Sequence, residues 1–400
     1  MRVLVNATDG PLSVRAVRRY VAALARGLAA RPEEIELDLL FFTHRGGLVR
    51  RFVASLGPAP RTRVHWLPLP RAWADRRYRR PRPELLRLAR RVDLYHETTV
   101  DHPDLAGAVP YAMTVHGLAP QVRPDICGAA FVAEKALWLE RAIALTDSFI
   151  AVSETTRGEI LARFAVPEER VRAVPLGVDA AFRPGDRAAA RAAVGERLRI
   201  AGDYLLYVGG VQRNKNIPRL LETARALADR GVFAGDLVLA GDVQYPPEEF
   251  AALVREHSLE GRVRATGYLE PEDPFLVELY RGARLFLFPS YYEGWTSPPL
   301  EAMGCGTPVI ASSASSIPET VGDAAELADP DDAEAWFEAA KRLIEDAERR
   351  AELAAKGIAR ARHYSWERMV EGTLAAYRAF AGGGTRSGVP IAPEPARALL

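Results

Sequence analysis

Two cysteines, Cys127 and Cys305, are all that 400 residues contain. They are too few for a disulfide framework and lack metal-ligand spacing, so a reducing compartment fits. No run of about 18 apolar residues occurs, so no membrane-spanning helix is expected, and the apolar stretch of MRVLVNATDG is too short for a signal peptide. There is little net charge. The 53 Lys/Arg and 52 Asp/Glu leave +1, which argues against a nucleic-acid binder. No short-period repeat is present. What remains is a composition of 48% hydrophobic and 26% charged residues, that of a soluble globular enzyme. Four hundred residues point to two domains.

The charge is unevenly spread. Residues 1–182 hold 27 Lys/Arg and 20 Asp/Glu, net +7, and the remainder holds 26 and 32, net −6. The opening RVLVN of residues 2–6 reads as a buried strand. An amphipathic helix over about 13–30 and a strand over 36–43 follow, a βαβ unit that implies a parallel sheet. Short apolar runs recur at 64–67, 94–96, 111–116, 149–153 and 171–175, with helical segments near 83–91, 130–146 and 155–164. Residues 180–203 form a turn and an Ala/Arg helix, read as a linker. The pattern then restarts. Strands are expected at 204–209, 236–240, 262–266 and 284–289, with helices at 218–230, 247–257 and 272–281. Charged, Ala-rich helices fill 331–362, and a final amphipathic helix runs from Trp366 to about Phe380. Two Rossmann-like doubly wound halves are the expected architecture. The tail 382–400, with Gly382-Gly383-Gly384 and three prolines, is expected to be disordered.

One stretch concentrates the chemistry. After the apolar run at 285–289 the chain turns through Tyr291-Tyr292-Glu293-Gly294. It re-enters order at Thr296-Ser297-Pro298-Pro299, hydroxyl cap candidates followed by prolines suited to a first helical turn. Gly304 and Gly306 end that helix, and Glu293 and Glu301 bracket the loop before it eight positions apart. Free amides at a helix start suit phosphate, and carboxylates accept from sugar hydroxyls, so the pattern describes a nucleotide-sugar site. Glu301 alone is explained by the helix dipole; its pairing with Glu293 around Gly294 is what favours function.

Other candidates lie at strand ends, where doubly wound sheets bind ligands. Gly209 and Gly210 allow close backbone approach, and Arg213 and Lys215 supply charge to a diphosphate. Asn216 follows them. His116 ends the strand at 111–115, placed to donate a hydrogen bond to a sugar or phosphate oxygen, and His96 is a similar case; each has the ordinary alternative of a satisfied histidine. Ser153 reads as a helix cap. Nine arginines in residues 71–91, with Trp73 and Tyr78 between them, read either as a solvated face or as contact with anionic headgroups or a phosphorylated acceptor.

These residues resemble a family. Glu293-Gly-Trp-Thr-Ser-Pro-Pro-Leu-Glu301 and the following Ala-Met-Gly-Cys-Gly-Thr-Pro-Val-Ile-Ala are similar to the E-x7-E region of retaining GT4 glycosyltransferases. Tyr207-Val-Gly-Gly with Lys215-Asn216, Val152-Ser153-Glu154, Pro175-Leu-Gly-Val-Asp179 and Ile317-Pro318-Glu319 add to the resemblance, which covers about residues 1–381. It implies the α/β GT-B fold, two facing Rossmann-like doubly wound parallel-sheet domains with a cleft. Residues 1–182 would be the acceptor domain, joined by the returning helix 366–381, and 183–363 the nucleotide-sugar domain. It also implies retention at the anomeric carbon, no cofactor beyond the nucleotide-sugar co-substrate, and no metal. By the resemblance Arg213 and Lys215 bind the diphosphate, Glu293 lies against the donor sugar and Glu301 holds ribose hydroxyls. Gly294, Trp295, Thr296 and Ser297 contact sugar and phosphate, Tyr268 and Leu269 meet the base, and His116 sits over the donor sugar. The first loop, glycine-rich in the family, is here Asp9-Gly10-Pro11. Asp9, Gly10 and His96 stand as acceptor-binding candidates.

Electrostatic stabilisation of the leaving diphosphate would be the main catalytic effect, with preorganised donors worth about 3–4 kcal/mol each. GDP-mannose is the expected donor, on the resemblance of the Lys215-Asn216 segment and the Ser297-Pro298-Pro299 loop to mannosyltransferases. UDP-glucose and a deoxyhexose nucleotide are the alternatives, and a GT-B epimerase or a non-catalytic sugar-nucleotide binder the other classes. The acceptor would be a glycan or lipid-linked hydroxyl. The expected place is the cytoplasm, peripheral on the inner membrane face through the Arg-rich segment.

Overall fold

A computed structural model of the chain describes residues 1–12, 16–68, 83–99, 105, 107–129, 131–133, 139, 142–143, 145–270 and 272–381. The expectations for residues 71–82, for most of the segment near 130–146 and for the tail 382–400 lie outside the described residues.

Among the described residues thirteen strands form two sheets. The first contains β1 (Arg2–Asn6), β2 (Glu36–Phe42), β3 (Thr62–Leu67), β4 (Leu94–Glu97), β5 (Tyr111–Val115), β6 (Ser148–Ala151) and β7 (Val171–Ala173), ordered β3-β2-β1-β4-β5-β6-β7. The second contains β8 (Tyr204–Val208), β9 (Asp236–Ala240), β10 (Val263–Gly267), β11 (Leu285–Phe288), β12 (Val309–Ser312) and β13 (Glu326–Ala328), ordered β10-β9-β8-β11-β12-β13. Every pairing is parallel. The central strands are apolar without alternation because helices cover both faces. Val3, Leu4 and Val5 are buried, as are Leu285, Phe286 and Leu287. The edge strand β3 differs, with Val64 and Trp66 exposed.

The chain divides into two compact units. The first comprises Met1–Pro124, Gly128–Pro175 and the segment from Trp366 onward; the second comprises Asp125–Cys127 and Leu176–Ser365. Residues 176–182, expected in the first domain, thus cluster with the second unit. Val178 N–H donates to Tyr364 O at 2.9 Å, and Phe182 meets the Tyr280 ring edge-on with centroids 5.5 Å apart.

The final helix, Trp366–Ala381, packs within the first unit. Its buried face, Met369, Val370, Thr373, Leu374, Tyr377 and Phe380, repeats at helical spacing. It lies against the helix Ala16–Ala29, where Gly27 makes room for it. A Cβ at Gly27 would stand 2.4 Å from Val370 Cγ2.

Several short elements lie where no helix or strand is expected, among them the following. Asp9–Leu12 is a helical turn, Gly46–Ala54 and Ile317–Val321 are helices, and Glu326–Ala328 is an edge strand. Gly46 is needed at the start of its helix because the Trp66 ring lies 2.2 Å from where its Cβ would be.

Candidate active site

In the second sheet β8 and β11 are neighbours, but the chain leaves β8 toward β9 and leaves β11 toward β12. Loops that diverge from adjacent strands leave a crevice at the carboxyl edge. Here those loops carry residues 209–216 and 289–296. Lys215 Nζ lies 2.6 Å from Glu293 Oε1, with the two side chains only 18% and 15% exposed. Tyr291 N–H donates to Asn214 O at 3.4 Å, tying one loop to the other.

Both ends of this ion pair are held by local structure. Lys215 closes the 3₁₀ turn Arg213–Lys215. Asn216, at φ 54°, then reverses the chain into the helix Ile217–Asp229, and its Nδ2 donates to Pro330 O at 2.9 Å. Glu293 is clamped through its backbone. Its N–H donates to Ser315 Oγ at 3.2 Å, and its carbonyl accepts from Ser315 Oγ at 2.5 Å and Ser316 Oγ at 2.8 Å. Ser315 adopts φ 57°, a left-handed conformation that non-glycine residues seldom take.

The helix Ser297–Gly304 starts differently from the expectation. Thr296 stands at the N-cap position, but its hydroxyl caps nothing. Pro298 and Pro299 carry no N–H, which removes two of the first-turn donors counted on for phosphate. Hydroxyl and indole groups are present instead. Ser290 Oγ, Trp295 Nε1 and Thr296 Oγ1 are buried with no hydrogen-bond partner. Each such group costs about 1–3 kcal/mol if left so, and three in one loop suit a polar ligand. The Trp295 ring packs edge-on against Tyr364, centroids 4.9 Å apart. Glu301 is only 3% exposed and accepts from Tyr280 OH at 2.8 Å, so it also ties its helix to the helix Pro274–Gly282.

The other candidates of this unit are placed separately. Arg213 is not brought to the Lys215–Glu293 pair. Its guanidinium, 77% exposed, lies 2.5 Å from Glu249 Oε1 and 5.7 Å from the centre of the Tyr245 ring. Gly209 and Gly241 hold the ends of β8 and β9 together, since a Cβ on Gly241 would stand 1.8 Å from Gly209 O. Gly210 O accepts from Tyr207 OH at 3.0 Å. Tyr268, exposed, and Leu269 follow β10 at the same carboxyl edge, two strands out from β8.

In the first sheet the corresponding pair is β1 and β4. Asp9 is buried at the start of the helical turn after β1 and accepts from Thr99 Oγ1, beyond β4, at 3.0 Å. Gly10 has a packing reason, because a Cβ there would stand 2.5 Å from Phe52 Cε2. His96 corrects the expectation of an acceptor-binding histidine. It is fully buried, its Nδ1 is 2.6 Å from Tyr377 OH and its Nε2 is 2.8 Å from Thr114 Oγ1, so no ring nitrogen faces a ligand. Burial, aided by the neighbouring His116, depresses its pKa to about 3. His116 follows β5, its ring edge-on to Tyr20 with centroids 5.0 Å apart. Its Nε2 is 3.0 Å from Thr98 O. A carbonyl can only accept, so Nε2 carries the hydrogen. Burial lowers the pKa of His116, opposed by that hydrogen bond, and keeps the ring neutral. Its Nδ1 is therefore an acceptor for a hydroxyl, where the sequence suggested a donor.

Ser315, Ser316 and Tyr280 were not legible as site residues. The one available signal is the run Ser312-Ser313-Ala314-Ser315-Ser316 at the carboxyl end of β12, next to β11. Among the described residues no group of three or more His, Cys, Asp or Glu is arranged to hold a metal ion, and no helix is long and apolar enough to cross a membrane.

Comparison with known proteins agrees with this geometry. A family model described as glycosyl transferases group 1 matches residues 202–346, and one described as glycosyltransferase family 4 matches residues 17–182. The O-antigen chain mannosyltransferase B of Escherichia coli is 34% identical over 229 residues, 57% of this chain and 60% of that one. D-inositol 3-phosphate glycosyltransferase 1 of Catenulispora acidiphila is 32% identical over 291 residues, 69% of this chain and 68% of that one. The chain thus spans less than two thirds of the first relative's length and about two thirds of the second's. Among solved structures, Anabaena Alr3699/HepE in complex with UDP-glucose is similar with a TM-score of 0.71 at 16% identity, over 94% of this chain and 98% of that one. With the strand orders above, these matches establish that the chain belongs to the GT4 glycosyltransferases and has the GT-B fold.

Proposed function

We propose that the protein is a retaining hexosyltransferase that moves mannose from GDP-mannose to a hydroxyl of a glycan or lipid-linked acceptor, with no metal. The observation that carries this reading is the Lys215–Glu293 pair at the β8/β11 crevice, beside the buried polar atoms of Ser290, Trp295 and Thr296. Lys215 would neutralise the departing diphosphate, and Glu293 would accept from hydroxyls of the transferred sugar. Glu301 would serve the ribose, Tyr268 and Leu269 the base, and Arg213 an outer phosphate after leaving Glu249. In the first unit Asp9 and His116 Nδ1 would receive sugar hydroxyls.

The step breaks the bond between the anomeric carbon and the phosphate oxygen and forms one from that carbon to the acceptor oxygen on the same face. The acceptor's proton passes to the leaving phosphate oxygen, so the products are a glycoside and a nucleoside diphosphate. No side chain has to form a bond to sugar; positioning and charge stabilisation carry the barrier reduction.

The mannose reading is supported by the similarity to the O-antigen chain mannosyltransferase B of E. coli. UDP-glucose is the second reading, supported by the ligand of the similar Anabaena structure. A place on the inner face of a membrane, through the basic segment 71–91, also belongs to this proposal. The test is release of nucleoside diphosphate from GDP-mannose, UDP-glucose and a dTDP-deoxyhexose with a panel of glycan and lipid-linked acceptors. Release that depends on acceptor, and a product whose anomeric configuration equals the donor's, support a retaining transferase. Turnover without acceptor points to an epimerase, and inversion refutes retention.

A further inference from the structure

The geometry points to Glu97 as the positioning residue of the first unit's carboxyl edge, holding both Asp9 and the hydroxyl-accepting nitrogen of His116 in place. Its consequence for sugar binding rests on the functional reading above; the arrangement itself does not.

Glu97 is the last residue of β4 and lies opposite Asn6 of β1, at the strand pair where the first sheet's loops diverge. Its side chain is fully buried. Donors converge on it. Asn6 Nδ2 lies 2.9 Å from each carboxylate oxygen, Tyr95 OH donates to Oε2 at 2.7 Å, and Thr99 N–H reaches Oε1 at 3.4 Å. A buried carboxylate is costly, and its retention at a ligand-binding edge asks for a role beyond packing.

That role is visible in what Glu97 orients. Because a carboxylate only accepts, it fixes the Asn6 amide with its nitrogen inward. Asn6 Oδ1 is then turned to receive Thr8 N–H at 3.1 Å and Thr8 Oγ1 at 2.6 Å, and Thr8 Oγ1 accepts from Phe42 N–H at 3.0 Å. The relay thus crosses the carboxyl ends of β4, β1 and β2. On its other side Glu97 anchors Thr99, whose hydroxyl donates to Asp9 at 3.0 Å. Between them Thr98 Oγ1 donates to Asn6 O at 2.7 Å, and Thr98 O is the acceptor that selects the His116 tautomer. A neutral amide at position 97 would present N–H to the N–H of Asn6 and release this set.

The test uses the whole 400-residue chain without sugar nucleotide, so its failure is separate from failure of the functional reading. In a long-range proton–nitrogen spectrum the wild type is expected to show His116 as the neutral Nε2–H tautomer. Glu97→Gln is expected to convert it to a tautomer mixture and to speed exchange of the Thr8 and Thr99 amides about tenfold. Asn6→Asp combined with Glu97→Gln reverses donor and acceptor across the same contact and should restore both signals. A folded Glu97→Gln protein with His116 and both amides unchanged overturns the proposal. So does a folded double variant that fails to restore them. If neither variant folds, Glu97 is a residue of fold stability and the positioning role is refuted.

Discussion

Lys215 Nζ and Glu293 Oε1 are 2.6 Å apart although 78 residues separate them in the chain. Only the placement of β8 beside β11 brings them together, and that is the crevice where doubly wound sheets take ligands. The pair is partly buried, between a solvent-exposed ion pair and a fully buried one. Lys215→Ala is expected to cost roughly 1–3 kcal/mol of stability by leaving the Glu293 carboxylate unpaired. If Lys215 neutralises a leaving diphosphate, turnover should fall about 100–1,000-fold. Denaturant midpoints and kcat/KM measured on the same samples separate the two effects.

Ser315 clamps the Glu293 backbone from a left-handed conformation. Ser315→Gly removes the hydroxyl and relieves the backbone at once. It should therefore reduce activity while destabilising by only about 1 kcal/mol, because relief of strain offsets part of the loss of the two hydrogen bonds to the Glu293 backbone. Ser315→Ala removes the same hydroxyl without the relief and should be the less stable of the two. Thermal unfolding beside an activity assay checks the order.

The final helix offers a packing test. At Gly27 a Cβ would stand 2.4 Å from the stiff Val370 side chain. Gly27→Ala should destabilise the first unit by about 1–2 kcal/mol, the overpacking strain exceeding the gain in helix propensity. Val370→Ala in the same chain should remove most of that strain. Additive losses in the double variant would contradict the contact.

Acid stability follows from His96 and Asp38. His96 has its pKa depressed from 6.5 to about 3, so the folded state keeps it neutral where the unfolded chain takes up a proton. Stability from this group is full above pH 6.5 and falls by about 1.4 kcal/mol per pH unit from there toward pH 3. Asp38 is buried, which raises its pKa, but hydrogen bonds from His65 and Arg2, with their charges, bring it down to about 2. Its contribution is lost only from about pH 4 down to 2. Melting temperature against pH should therefore decline in two stages, and His96→Gln should flatten the upper one.

Much of this site is written in local punctuation. Gly209-Gly210 after one apolar run, and Glu293-Gly294 before Pro298-Pro299 after another, mark strand ends and a helix start without any tertiary knowledge. What is not local is lost. His96 and His116 both close short apolar runs of the sequence, yet His96 is sealed by Tyr377, 281 residues away, and nothing near either histidine shows which is sealed. The side-chain direction of Arg213 depends on Glu249, 36 residues on in another helix. Nothing local marks Ser315 and Ser316, because a serine run carries no sign of the carbonyl it clamps. Strand β13 is three residues of mixed polarity, too short for a period to register.

The most direct test of the central claim is calorimetric titration of the 400-residue chain and its Lys215→Ala variant with GDP-mannose and UDP-glucose. Saturable binding of at least one of them to the wild type is expected, weakened at least about tenfold in the variant, equivalent to about 1.4 kcal/mol. Equal affinity of both proteins for the same sugar nucleotide would place its diphosphate away from the β8/β11 crevice and contradict the assignment.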